Sequence, residues 1–179
     1  MSRIGSRRVY LGRVISVDVD TVEFPNGTTG ELEMVRHSGA SAVVPFLGDP
    51  GEDDPLILLI RQYRYAAEGY LYEIPAGRLD DGEGPETCAL RELREETGYS
   101  AEHLERLTTF FTTPGFTDER IHLFMATALT AGDSALESDE VLDLHPVRLS
   151  AALEMIDSGE IVDGKTMLGI LLSAAKIRT

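Results

Sequence analysis

Glu92, Glu95 and Glu96 stand three and four residues apart, so a helix through them puts three carboxylates on one face. Carboxylates crowded in this way repel one another unless a cation sits among them. Hard oxygen ligands at that density suit Mg2+ or Mn2+. Taken alone, the same spacing also describes a solvated acidic helix face, an ordinary feature of a Glu-rich chain. The surrounding frame sets it apart. Gly77 is followed by Glu83, then by Arg91-Glu92, apolar Leu93, Glu95-Glu96, Gly98 and apolar Tyr99.

The elements that must position these groups are legible around them. Gly84 can cap a helix, Pro85 suits its first turn, and Glu86 sits beside its positive end. Gly98 is a natural left-handed terminator. Ala89, Leu90, Leu93 and Thr97 fall on a neighbouring arc, expected to pack against a sheet. Cys88 lies within the same helix and reads as a packing residue.

The chain has 179 residues, enough for one domain with a full core. Hydrophobic residues make up 42% and charged residues 26%, the proportions of a globular protein in water. No apolar run approaches the length of a membrane span. The start, Met-Ser-Arg-Ile-Gly-Ser-Arg-Arg, has no apolar segment after its basic residues, so no signal peptide is expected. The single cysteine forbids an internal disulfide and fits a reducing cytoplasm. A net charge of −15 leaves no basic footprint for a nucleic-acid backbone. It also repels an anionic substrate at long range. Positive charge for any anionic substrate must then be local, from metal ions and a few arginines.

Residues 7–24 alternate apolar and polar side chains and read as a strand. Pro25-Asn26-Gly27 is a turn, and residues 28–35 read as the returning strand of an N-terminal hairpin. Further strands are expected over 40–47, 56–65, 71–74, 104–112 and 120–129. The last two flank Thr113-Pro114-Gly115-Phe116-Thr117-Asp118-Glu119. Residues 131–143 read as an acidic solvated linker. The final third reads as helical: Ser150 caps a helix ending near Gly159, and Asp163 caps a last helix through Lys176. Strands mixed with a few helices give an α/β or α+β domain.

From Gly77 to Tyr99 the frame resembles the Nudix box, G-x5-E-x7-R-E-U-x-E-E-x-G-U with U apolar, at every defined position. Nudix enzymes hydrolyse a nucleoside diphosphate linked to another group. From about Tyr10 onward the chain is similar to the bacterial ADP-ribose pyrophosphatase branch. The residues that carry this are Arg61-Gln62-Tyr63-Arg64 ahead of Glu73-Ile74-Pro75-Ala76-Gly77, the loop ending in Glu119, and Gly159-Glu160-Ile161-Val162-Asp163-Gly164-Lys165-Thr166. Family members begin that loop with Ser where Thr113 stands.

The resemblance implies an α/β/α sandwich with a mixed sheet over residues 39–179. It also implies an N-terminal β-hairpin subdomain over 1–38, exchanged between the subunits of a homodimer. Glu92 and Glu96 match metal-binding glutamates, with Glu95 a third carboxylate that binds metal or assists. Ala76 matches a residue whose backbone carbonyl completes the metal shell, and Gly77 lets the backbone approach a ligand closely. Arg91 matches an arginine that orients a glutamate, and Glu83 braces the loop. Glu119 matches a general base or metal ligand on a mobile loop, Arg64 a phosphate-binding arginine, and Glu73 a contact to the terminal ribose. Two or three Mg2+ or Mn2+ ions, a nucleotide-sugar substrate and a cytoplasmic setting follow from the same resemblance. The family often holds its nucleotide with an arginine on the returning N-terminal strand. Here Glu31 and Glu33 lie near that place, with Arg36 a few residues on. Four functions compete: ADP-ribose hydrolysis, hydrolysis of another conjugate such as GDP-mannose or NADH, hydrolysis of oxidised nucleoside triphosphates, against which the Pro-Gly loop argues, and non-catalytic sensing of ADP-ribose. Retention of every box glutamate disfavours the last.

Overall fold

A computed structural model describes residues 1–132 and 142–178, so most of the acidic linker lies outside the described residues. The chain divides into two compact units. One comprises Met1–Gly39 together with Phe110–Ile121, and the other Ala40–Thr109 and the chain from His122 onward.

In the first unit, β1 (Ser2–Leu11), β2 (Ser16–Glu23) and β3 (Thr29–Arg36) form an antiparallel sheet in that order. The expected hairpin is β2–β3, turning at Gly27 with φ of 81°. The single strand read over residues 7–24 is two strands, because the chain turns at Gly12, whose N–H donates to the Ile15 carbonyl at 2.9 Å. Asp18 and Asp20 on β2 are buried. They are compensated by Arg8, directly opposite Asp18 on β1, and by Arg36 at the end of β3. A parallel bridge between Val35 and Thr117 adds the Phe110–Ile121 segment to this unit.

β4 (Ala40–Pro45), β7 (Ala76–Arg78), β8 (Tyr99–Phe111) and β9 (Arg120–Ala131) form a sheet in the order β7-β4-β9-β8, in the second unit but for the last two residues of β8 and the first two of β9. β5 (Leu56–Arg64), β6 (Gly69–Glu73) and β10 (Leu142–Arg148) form a second, in the order β10-β5-β6. The helices are α1 (Pro85–Thr97), α2 (Leu149–Asp157) and α3 (Gly164–Ile177). β4 touches both α1 and α3, and its sequence explains how. Successive strand residues face opposite ways. Val43 packs with Ala89 and Leu93 of α1 and with Phe124 and Ala126 of β9. Val44 meets Gly169 of α3, so close that a Cβ there would lie 2.9 Å from it. Both faces are covered, and the strand reads as an apolar run from Ala42 to Pro45 rather than an alternation, with the buried Ser41 hydroxyl donating to the Pro85 carbonyl at 2.8 Å. The result is an α/β fold with helices on both faces of the sheet.

Two expectations about the last third are corrected. Residues 142–148 form β10, which was not read because Pro146 interrupts the apolar pattern. β10 is an edge strand, where a proline is tolerated. The α2 N-cap is Arg148 rather than Ser150. Ser150 donates its N–H and hydroxyl to the Asp54 carboxylate at 2.9 and 2.8 Å. The acceptor that serves this helix end therefore comes from a distant loop. The Asp163 cap is local and forms as read, accepting from the Thr166 N–H at 3.0 Å. Among the described residues, no helix is long and apolar enough to cross a membrane.

Candidate active site

The helix that carries the three glutamates begins and ends where its residues dictate. Gly84 is its extended N-cap and Pro85 its first residue. Gly98 closes it at φ of 77°, donating to the Arg94 carbonyl at 2.8 Å. Cys88, Ala89, Leu93 and Thr97 are buried against the sheet, but Leu90 is 37% exposed and lies outside the packed arc. Burial pushes the Cys88 thiol up to about 11, as expected of a packing cysteine.

Packing α1 on β7 brings Glu96 and Glu92 to the backbone at Ala76 and Gly77. Glu96 is buried, and its Oε2 accepts the Ala76 N–H at 3.0 Å. The Glu92 carboxylate lies over Gly77, where any Cβ would collide with it. A side chain at residue 77 would therefore have to displace the Glu92 carboxylate from this position.

Arg91 is the cation among these carboxylates. Its Nη1 donates to Glu92 Oε1 at 2.6 Å and to Glu95 Oε2 at 3.0 Å. Its Nε and Nη2 donate to the two oxygens of Glu83 at 2.9 Å each, and Nη2 also donates to the Arg78 carbonyl at 3.1 Å. The guanidinium is held firmly protonated by Glu83 and its neighbours, and in return holds the Glu83 carboxyl down at about 2. Arg91 thus orients Glu92 and Glu95 while Glu83 anchors Arg91. With Arg91 drawing Glu92 and Glu95 to itself, no group of three His, Cys, Asp or Glu side chains among the described residues is gathered at metal-holding geometry. The donor set still fits a hard divalent cation: three glutamates on one helix, and a backbone cradle at Ala76 and Gly77 kept open by the missing Cβ.

Arg64 and Glu73, given separate roles above, form one ion-paired unit. Arg64 Nε and Nη2 donate to the Glu73 oxygens at 2.6 and 2.8 Å. Lys165 Nζ donates to Glu73 Oε2 at 2.5 Å and to Asp163 Oδ2 at 3.0 Å. Burial alone would push the Glu73 carboxyl up, but the two cations outweigh it and the group sits below its usual range. Arg64, Leu71, Glu73, Asp163 and Lys165 line a cavity of about 370 Å3. Sequence reasoning quoted Asp163 and Lys165 within a motif but gave Lys165 no role. A lysine two residues from a capping aspartate was the available signal.

Glu119 lies in the first unit. Its Oε2 accepts from the Thr112 hydroxyl at 2.9 Å, and its Oε1 lies 3.4 Å from His37 Nδ1. The loop expected to be mobile is tied to β3: Val35 N–H donates to the Phe116 carbonyl at 2.8 Å, and Asp118 N–H to the Val35 carbonyl at 3.3 Å. Arg36, the cation nearest the place of the family's nucleotide-binding arginine, has its fork engaged by Asp18, Asp20 and Asp118. Glu31 is exposed on β3, 3.9 Å from Arg7. Sequence reasoning missed His37 and Asp118, whose partners are distant in the chain.

Comparison with known proteins matches residues 36–166 to the NUDIX domain. The chain is 43% identical to the methanol dehydrogenase activator of Bacillus methanolicus over 93% of its length and 89% of the relative's. It is 41% identical to the ADP-ribose pyrophosphatase of Bacillus subtilis (strain 168), with the same coverage. Its fold superimposes on the crystal structure of ADP compounds hydrolase with a TM-score of 0.82, covering 99% of this chain and 94% of that one at 23% identity.

Proposed function

Since the chain belongs to the NUDIX family, we propose that it hydrolyses the diphosphate of ADP-ribose to AMP and ribose 5-phosphate with a divalent metal. The observation that carries this reading is the complete box, whose glutamates meet an open backbone cradle at Gly77. The 41% identity with a relative named for ADP-ribose supports the substrate.

In this reading Glu92, Glu96, Glu95 and the Ala76 carbonyl hold two or three Mg2+ or Mn2+ ions. When bound, such ions neutralise the diphosphate and acidify the attacking water. Arg91 keeps Glu92 and Glu95 aligned, and Glu119 or Glu95 takes the proton of that water. The water oxygen bonds to one phosphorus as the bridging P–O bond breaks, and the two phosphate monoesters leave. Arg64, paired with Glu73 through Nε and Nη2, offers Nη1 to a phosphate of the substrate, and Glu73 receives the terminal ribose. The protein acts as a homodimer in the cytoplasm. The single buried cysteine supports the setting, and the exposed Ile4, Val9, Tyr10 and Leu11 on β1 support a second copy covering that strand.

A panel of ADP-ribose, GDP-mannose, NADH and diadenosine compounds, each with Mg2+ or Mn2+ and with products separated, tests the assignment. Release of AMP and ribose 5-phosphate from ADP-ribose at the highest kcat/KM is expected, and a tenfold preference for another conjugate would reassign the substrate. Glu92→Gln is expected to cut turnover roughly 10²-fold or more, on the scale of other electrostatic groups lost from active sites, with little change in melting temperature. Near-normal turnover would reject its metal role. The name of the Bacillus methanolicus relative favours a second reading, action upon a partner enzyme. Intact box glutamates rank it below hydrolysis.

A further inference from the structure

Asp118 stands one peptide bond from Glu119 and fastens the loop after β8 to the end of β3, within the first unit. Its Oδ2 accepts from Arg36 Nη1 at 3.1 Å, and its Oδ1 accepts from the His37 backbone N–H at 3.0 Å. Arg36 is itself immobilised from behind. Its Nε donates to Asp18 Oδ2 at 3.2 Å and its Nη2 pairs with Asp20, both buried on β2. One guanidinium thus joins two fixed aspartates of a sheet to a third on a loop, a geometry that suits its planar fork and no ammonium. The Val35–Phe116 and Asp118–Val35 backbone bonds complete the join. Beyond it, Glu119 meets the Thr112 hydroxyl at 2.9 Å and His37 Nδ1 at 3.4 Å, and its own N–H donates to Thr117 Oγ1 at 3.2 Å; the His37 contact depends on the same join, since Asp118 holds the His37 backbone.

We propose that Arg36 and Asp118 are positioning residues whose clasp sets where the Glu119 carboxylate stands. The inference rests on the reading of Glu119 as a group that acts in the reaction. Its physical basis is that a loop freed at Gly115 has conformations to lose, and the clasp removes them before substrate arrives. A displacement of about 1 Å at a reacting group costs roughly 10²-fold in rate.

Asp118→Ala removes both contacts and leaves Arg36 with Asp18 and Asp20. It is expected to lower kcat on the preferred nucleotide about tenfold or more, with KM changed less than about threefold. Arg36→Lys keeps a charge for the buried aspartates while losing the fork, and should show the same split; it serves if Asp118→Ala folds poorly. The decisive measurement is the cycle with Glu119→Gln. If the clasp acts through Glu119, Asp118→Ala costs nothing further in the Glu119→Gln background. Losses that multiply would overturn the proposal, as would wild-type kcat for Asp118→Ala beside an inactive Glu119→Gln. Wild-type kcat for Glu119→Gln itself would instead remove the role of Glu119, and the clasp's purpose with it.

Discussion

Arg91 shows how one side chain organises several others. Its five donors are spread over Glu83, Glu92, Glu95 and the Arg78 carbonyl, a distribution open to a planar guanidinium and closed to lysine. The consequence for acid stability has a definite sign. The ordinary value for Glu83 is 4.5, and Arg91 holds it at about 2 in the folded protein. Between those values the unfolded chain binds the proton and the folded one does not. The stability Glu83 contributes is therefore whole above 4.5 and is lost as pH falls from there toward about 2. Melting temperature against pH should flatten over that window in Glu83→Gln, and an unchanged slope would show that Arg91 does not hold it down. Gly77 makes a second prediction at this scale. A Cβ at residue 77 must displace the Glu92 carboxylate, so Gly77→Ala is expected to lower turnover about tenfold or more and to raise the metal concentration needed for half-maximal rate. Normal metal dependence would mean that Glu92 moves aside without consequence.

Among the elements, the box helix was legible almost to the residue, because Gly84, Pro85 and Gly98 act on their own backbone and need no distant partner. The exception is Leu90, which shares the apolar arc by spacing yet faces solvent; how wide a stripe the sheet covers depends on the sheet. β10 and the start of α2 were not legible for the same reason. A proline-containing strand forms because β5 offers it a sheet edge, and Ser150 finds its acceptor on Asp54. The α3 contact is testable. Gly169 lies against Val44, Ile74 and Leu123 with no room for a branched side chain. Gly169→Val is expected to destabilise the protein by about 1–3 kcal/mol in urea unfolding through overpacking. A neutral result would show that α3 can shift without loss.

At the scale of the whole molecule, the acidic balance and the exposed β1 strand matter most. β1 is exposed along nearly its whole length while carrying Ile4, Val9, Tyr10 and Leu11, an edge that natural proteins cover or charge. A second copy is the proposed cover, so light scattering on the purified protein should give the mass of two chains, and Leu11→Asp should shift it toward one. A single-chain mass for the unmodified protein at micromolar concentration would remove the dimer. The sequence by itself determined the pattern on which the proposed chemistry rests: carboxylates at spacings of three and four, the glycines before and after them, and a net charge that leaves the binding of any anion to local cations. These follow from covalent order, since helix periodicity and backbone caps act within a few residues. Only the tertiary structure decided which charges neutralise which. Arg64 with Glu73 and Lys165, Arg36 with Asp18, Asp20 and Asp118, and Asp54 at the head of α2 are pairings made by folding. Burial makes the partners of Glu73, Asp18 and Asp20 necessary, because an ionised group removed from water is stable only beside an opposite charge or a donor, and chain order does not say which one folding brings near.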